Sequence, residues 1–125
     1  QYTLDNYINK NKDIVIKQLQ EKRLNAIIIG DGNTIIDYYP KGKVVSNDRI
    51  ILITNGQNIT LPNMTNWSKR EAKYLLDYLN IKYTLTGNGY VKTQNIKEGT
   101  PITPDMDLQL TLENKVTKKE ETKKE

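Results

Sequence analysis

The chain contains no cysteine, no histidine and no phenylalanine, and only one tryptophan. Without cysteine there is no disulfide, no thiol nucleophile and no thiolate metal site. Without histidine the commonest general base is missing, and so is the usual partner of a serine nucleophile. A zinc site would rest on carboxylates alone, a poor donor set for that ion, so neither a metal nor a cofactor is expected. No apolar run reaches the 18 residues that a membrane helix needs. The opening "QYTLDNY" has no apolar core segment of the kind found in a signal peptide. The chain also starts without Met, and it reads as a piece of a longer protein with any anchor or export signal upstream. A cysteine-free chain suits either the cytosol or the outside of a bacterium.

A concentrated basic face is missing as well. The formal net charge is +4 over 125 residues. Half of it sits in the terminal "KVTKKEETKKE", which holds five Lys and three Glu. The preceding 114 residues carry 14 basic and 12 acidic groups, so the rest of the chain is close to neutral. A nucleic-acid partner is therefore not expected. The Lys/Glu tail has no apolar face and reads as unstructured.

The chain does contain an internal repeat. Shifted by 57, residues 4–56 fall on 61–113 without a gap. Ten pairs are identical, among them Leu4/Leu61, Asn6/Asn63, Asn9/Asn66, Gly30/Gly87, Gly32/Gly89 and Gly42/Gly99. Ordinary residue usage gives about three or four by chance. Apolar character also stays in step at Val15/Ala72, Leu24/Ile81, Ile51/Leu108 and Ile53/Leu110. Two modules follow, at 1–57 and 58–114, with a tail at 115–125.

Each module predicts one helix and about three strands. Ser68 and Glu71 form the Ser-x-x-Glu capping box. Ala72, Leu75, Leu76 and Leu79 then lie on one helical face, so a helix is expected over 69–79, with Asn80 as a left-handed cap. Its twin is expected over 12–23, capped by Asn11, with Ile14 and Ile16 sharing the burial of Val15 and Leu19. Strands are expected near 24–29, 33–39, 43–46 and 50–54, and near 81–86, 90–94, 101–103 and 107–112. "DLQLTL" alternates as a strand with one buried face does, whereas "IILIT" reads as buried on both. "GDG" and "GNG" mark turns, and "TNGQNI" (54–59) reads as a short polar link. The fold class is α+β: two tandem small modules, each one helix packed on a roughly three-stranded β-sheet.

These residues carry a family resemblance. The entrance "LPNMTNWSKREAKYLL", followed by Gly-x-Gly, the Gln of "VKTQN" and "EGTPI" (98–102), resembles a PASTA domain. The first module lacks the entrance Pro and Trp and the Gln-centred segment, and it is attached to the family through the repeat. The resemblance implies non-catalytic modules outside a bacterial membrane. It also implies weak contact with peptidoglycan or muropeptides. A pair of such modules resembles the C-terminal region of a class B penicillin-binding protein, a septal transpeptidase of a Gram-positive bacterium. The implied partners are then the transpeptidase domain of the same chain and division proteins, and the implied location is the extracellular face of the membrane at the cell wall or septum. The transpeptidase motifs themselves are absent: there is no Ser-x-x-Lys, and "VKTQ" breaks Lys-Thr-Gly. The other reading is the sensor region of a PASTA-containing membrane Ser/Thr kinase.

Among candidate contact residues, Trp67 and Tyr90, with the Tyr38–Tyr39 pair, carry flat amphipathic rings suited to sugar faces. Against this, Trp67 also stands where a hydrophobic staple before the Ser68 cap belongs. Asp105 and Asp107 would share one face of a strand, but two carboxylates without a third ligand make a poor metal site.

Overall fold

The computed structural model describes residues 1–115. All but the first residue of the Lys/Glu segment at 115–125, expected to be unstructured, lies outside them. The chain divides into two compact units, Gln1–Thr60 and Leu61 onward. The first holds β1 (Tyr2–Thr3), α1 (Lys12–Glu21), β2 (Asn25–Ile29), β3 (Ile35–Tyr39), β4 (Lys43–Val44) and β5 (Arg49–Thr54). The second holds α2 (Lys69–Tyr78), β6 (Lys82–Thr86), β7 (Tyr90–Gln94) and β8 (Asp107–Glu113).

The helices begin where their caps dictate. Glu71 N donates to Ser68 Oγ at 3.2 Å and Ser68 N donates to Glu71 Oε1 at 2.8 Å, closing the capping box. Asn11 Oδ1 accepts from the amides of Asp13 and Ile14 at 2.9 and 3.1 Å. Both helices stop at a left-handed residue, Asn80 (φ 57°) and Arg23 (φ 59°). Ala72, Leu75 and Leu76 are buried on α2, as are Val15 and Leu19 on α1. Ile16 shares that burial, but Ile14 does not: it is 60% exposed, one residue outside the stripe.

Each unit closes one three-stranded sheet with the same topology. The orders are β2-β5-β3 and β6-β8-β7. The last strand is central, parallel to the first and antiparallel to the second. In β8, Leu108, Leu110 and Leu112 alternate inward. In β5, Ile50, Ile51, Leu52 and Ile53 are all buried, so this strand is apolar on both faces. Ile50 and Leu52 join Val15, Leu19, Leu24, Ile35 and Tyr38 in the core beneath α1. A fully buried Leu or Ile side chain contributes about 2 kcal/mol. A third, two-stranded sheet pairs β1 with β4 in the first unit.

The gapless 57-residue register holds only through the helix and the first strand. Asn11/Ser68, Arg23/Asn80 and Asn25/Lys82 are equivalent at that spacing. The second strand is offset by 56, because the first unit's turn carries one extra residue before the bulges at Ile35/Asp37 and Val91/Thr93. The third is offset by 58: Arg49 pairs with Asn25 as Asp107 does with Lys82. Ile50 is therefore the counterpart of Leu108, and Leu52 of Leu110, which replaces the pairing of Ile51 and Ile53 with those leucines. The strand expected at 101–103 does not form. The chain bonds across Leu61 through Gly99 N and Thr100 O, both at 2.8 Å, and makes one bridge at Pro101, which has no N–H to continue the ladder. The strand expected at 43–46 is shortened to Lys43–Val44.

The polar link also starts later than its composition implies. Thr54 belongs to β5, and its buried hydroxyl donates to Ile29 O at 3.1 Å while accepting from Gly32 N at 3.2 Å. Asn58 is fastened to the Gly30–Gly32 turn, its Nδ2 donating to Asp31 Oδ2 at 2.8 Å. Gly56 must be glycine there: it has φ 112°, and a Cβ would stand 2.1 Å from Asp31 Oδ1.

Candidate functional site

The best-defined surface of the second unit is where its entrance, the start of α2 and β7 meet. Asn63 Oδ1 accepts from Thr65 N at 3.0 Å, turning the chain, and Asn66 follows in the left-handed region at φ 71°. Asn66 N donates to Val91 O at 2.8 Å, and Val91 N to Trp67 O at 2.9 Å. The helix entrance is thus stitched onto β7. A bridge between Ser68 and Tyr90 brings the capping residue beside that strand's first residue.

Gln94 holds the entrance from the other end of β7. Its Nε2 donates to Pro62 O at 3.1 Å and Ile96 O at 2.9 Å, and its Oε1 accepts from Met64 N at 2.8 Å. One half-buried amide therefore satisfies two backbone groups of the entrance, Pro62 O and Met64 N, and one of the loop that follows β7, Ile96 O. The first unit does the same with other side chains. Tyr38, the counterpart of Gln94, donates from its hydroxyl to Asp5 O at 3.2 Å. Asp5 corresponds to Pro62. Tyr7, at the place of Met64, packs edge-on against Tyr38 with ring centroids 5.2 Å apart. Burial raises the Tyr7 phenol above its ordinary range, aided by the nearby Asp5 carboxylate.

Of the aromatic candidates, Trp67 is 2% exposed and its ring lies in the core. Tyr90 is 38% exposed and presents a ring at the surface. Tyr38 is buried and Tyr39 half-buried. The two carboxylates of the 105–107 segment do not act together. Asp105 sits in the turn before β8, bonded by Thr103 Oγ1 at 2.8 Å. Asp107 begins β8 and faces Lys82 Nζ at 3.8 Å. Among the described residues no three acidic side chains gather as a metal-binding group. Chemically, the surface around Tyr90 offers an aromatic face next to polar backbone, with Lys92 paired to Glu113 at 3.2 Å on the same strands. That suits weak, flat contact.

Sequence reading missed how α2 is fastened to β6. Tyr83 Oη donates to Asp77 Oδ1 at 2.7 Å, and that bond raises the Tyr83 phenol above its ordinary range. The signal was present as Tyr83 and Asp77 six residues apart across the helix end, but only the tight left-handed turn at Asn80 brings them together.

The helix, the Gln-bonded entrance and the three-stranded sheet of the second unit match one family model, the PASTA domain, over residues 59–114. Residues 59–114 belong to the PASTA family. Such a domain is a non-catalytic module of the extracellular, peptidoglycan-related regions of penicillin-binding proteins and Ser/Thr kinases. Over 90% of its length the chain is similar to Penicillin Binding Protein 2X from Streptococcus thermophilus, at 25% identity and a TM-score of 0.78. It covers 17% of that protein. The three-PASTA-domain region of a Ser/Thr kinase from Staphylococcus aureus matches at 20% identity over 86% of this chain and 63% of its own, with a TM-score of 0.34. The entire extracellular region of the Ser/Thr kinase PrkC from Staphylococcus aureus matches at 20% identity over 90% of this chain and 47% of its own, with a TM-score of 0.36.

Proposed function

We propose that this chain is a non-catalytic accessory region of a penicillin-binding protein, outside the membrane at the cell wall. It supports septal wall synthesis through weak contacts with peptidoglycan or muropeptides and with protein partners. Those partners are the transpeptidase domain of the same chain and components of the division machinery. Modules 1–57 and 58–114 are then two copies of one PASTA unit, the first divergent. The observation that carries the reading is the likeness to Penicillin Binding Protein 2X at a TM-score of 0.78 over 90% of the chain, together with the PASTA match. Tyr90 is the proposed ligand contact, with buried Trp67 fixing the helix start behind it.

Co-sedimentation with purified peptidoglycan tests this directly. Wild-type chain should pellet with the polymer, be released by soluble muropeptides, and pellet less as Tyr90→Ala. No retention at physiological salt would remove the wall-binding half of the proposal.

A further inference from the structure

Three Asp or Asn residues of this chain stand immediately before a glycine: Asp31, Asn55 and Asn88. Such a pair can close into a cyclic imide, because a glycine has no Cβ to keep its N–H away from the preceding side-chain carbon. The fold treats the three differently. Gly32 N, which would attack Asp31, donates instead to Thr54 Oγ1 at 3.2 Å, and the Asp31 carboxylate accepts from Asn58 Nδ2 at 2.8 Å. Asn55 Oδ1 accepts from Thr34 N at 3.0 Å, and Asn55 N donates to Thr34 O at 2.9 Å. Asn88 has none of these fastenings. It is exposed, and among the described residues its side chain has no hydrogen-bond partner. At the place of Thr54 the second unit has Leu112, whose side chain accepts nothing. The flanking glycines are fixed: a Cβ on Gly87 would stand 2.4 Å from Leu112 O, and one on Gly89 2.3 Å from Glu113 O. Asn88 therefore carries the one side chain of the turn between β6 and β7.

We propose that Asn88 is a site of spontaneous deamidation, and that the fold steers this reaction to Asn88 and away from Asn55. Gly89 N bonds to Asn88 Cγ, the Cγ–Nδ2 bond breaks, and ammonia leaves with the amide proton of Gly89. Water then opens the resulting succinimide at either carbonyl. One opening gives aspartate at this position, so that Gly-Asn-Gly becomes the Gly-Asp-Gly that the first unit already has at 30–32. The other gives isoaspartate, which adds a carbon to the backbone of a turn where neither glycine has room for a Cβ, and so loosens the second unit. Either product adds a negative charge two residues from Tyr90. The turn that carries it also receives the start of α2, since Lys69 N donates to Gly89 O at 3.2 Å. The partly positive helix start favours that charge. The charge of the surface around Tyr90 thus changes with the age of the protein.

The test is ageing of the full chain at mildly alkaline pH, followed by digestion and mass spectrometry, with isoaspartate read by methyltransferase labelling. In the folded chain the Asn88 peptide should convert about tenfold or more faster than the Asn55 peptide, since Asn55 must first give up its bond from Thr34 N. In urea the two rates should converge. Asn88→Gln keeps the amide but closes a ring far more slowly, so it should fold normally and release much less ammonia. Equal rates at the two sites in the folded chain, conversion of Asn88 only after unfolding, or undiminished ammonia release from Asn88→Gln would each overturn the proposal. So would a preference for Asn88 that persists in urea, which would belong to the local sequence and not to the fold.

Discussion

Several single side chains in this protein each hold a stretch of backbone that no ladder reaches. Ser68 is one. Replacing it by Ala unmakes its half of the capping box and should lower the stability of the second unit by about 1 kcal/mol. Trp67 is the sole tryptophan and is buried in that unit, so its fluorescence during urea unfolding reads the loss without contribution from the first. Asp31 is another. The Asn58 side-chain bond, followed by backbone amides, holds its carboxyl below the ordinary aspartate value of 3.8. A lowered pKa contributes stability that is present above the unfolded value and disappears as pH falls through the folded one. Asp31→Asn should therefore flatten the acid limb of the stability profile below pH 3.8, measured by thermal melts of both chains at stepped pH.

At the scale of elements, the same connection is made by different chemistry in the two units. The entrance carbonyl is held by Gln94 in one and by Tyr38 in the other. Gln94→Ala leaves three backbone groups to find new partners and should cost about 1–3 kcal/mol. Tyr38→Phe removes one bond and keeps the ring packing, so its cost should lie near the lower end of that range. Paired denaturant titrations compare them. The Tyr83–Asp77 contact joins α2 to β6, and its raised phenol gives the opposite pH behaviour to Asp31. Its contribution is whole below the unfolded value of 10.0 and lost as pH rises through the higher folded one. Tyr83→Phe should lessen the alkaline loss of stability, read by the same tryptophan signal above pH 10.

These substitutions also explain what could be read in advance. Helix starts, Asn80 and the alternation of β8 follow from local rules, and the structure has them at or within a residue or two of the expected places. Arg23 in the left-handed region carried no local signal, since only its twin Asn80 marks that spot. The first unit's entrance was opaque because a Tyr–Tyr pair there does the work of Met and Gln. The register slipped because the first unit has one more residue before its second strand and the second unit has two more between its second and last strands, and each net shift of one flips a strand. Ile and Leu on the doubly buried β5 then fit either phase, so pattern alone chose the wrong one.

For the whole molecule, the described chain is two compact units with little net charge. The proposed wall binding should therefore weaken only modestly with salt, unlike a polycation on a polyanion. Sedimentation repeated at low and high ionic strength checks this. In both units the strand that comes last in the chain lies in the middle of the sheet. The two earlier strands touch it and not each other, so neither can pair until it arrives. During synthesis, or passage through an export channel in single file, the three-stranded sheet of each unit must stay unpaired until its final strand has emerged. A chain cut after Pro104 should keep the first unit folded and lose the second altogether, rather than losing an edge. A native-like Trp67 emission in that truncated chain would show the reasoning to be wrong.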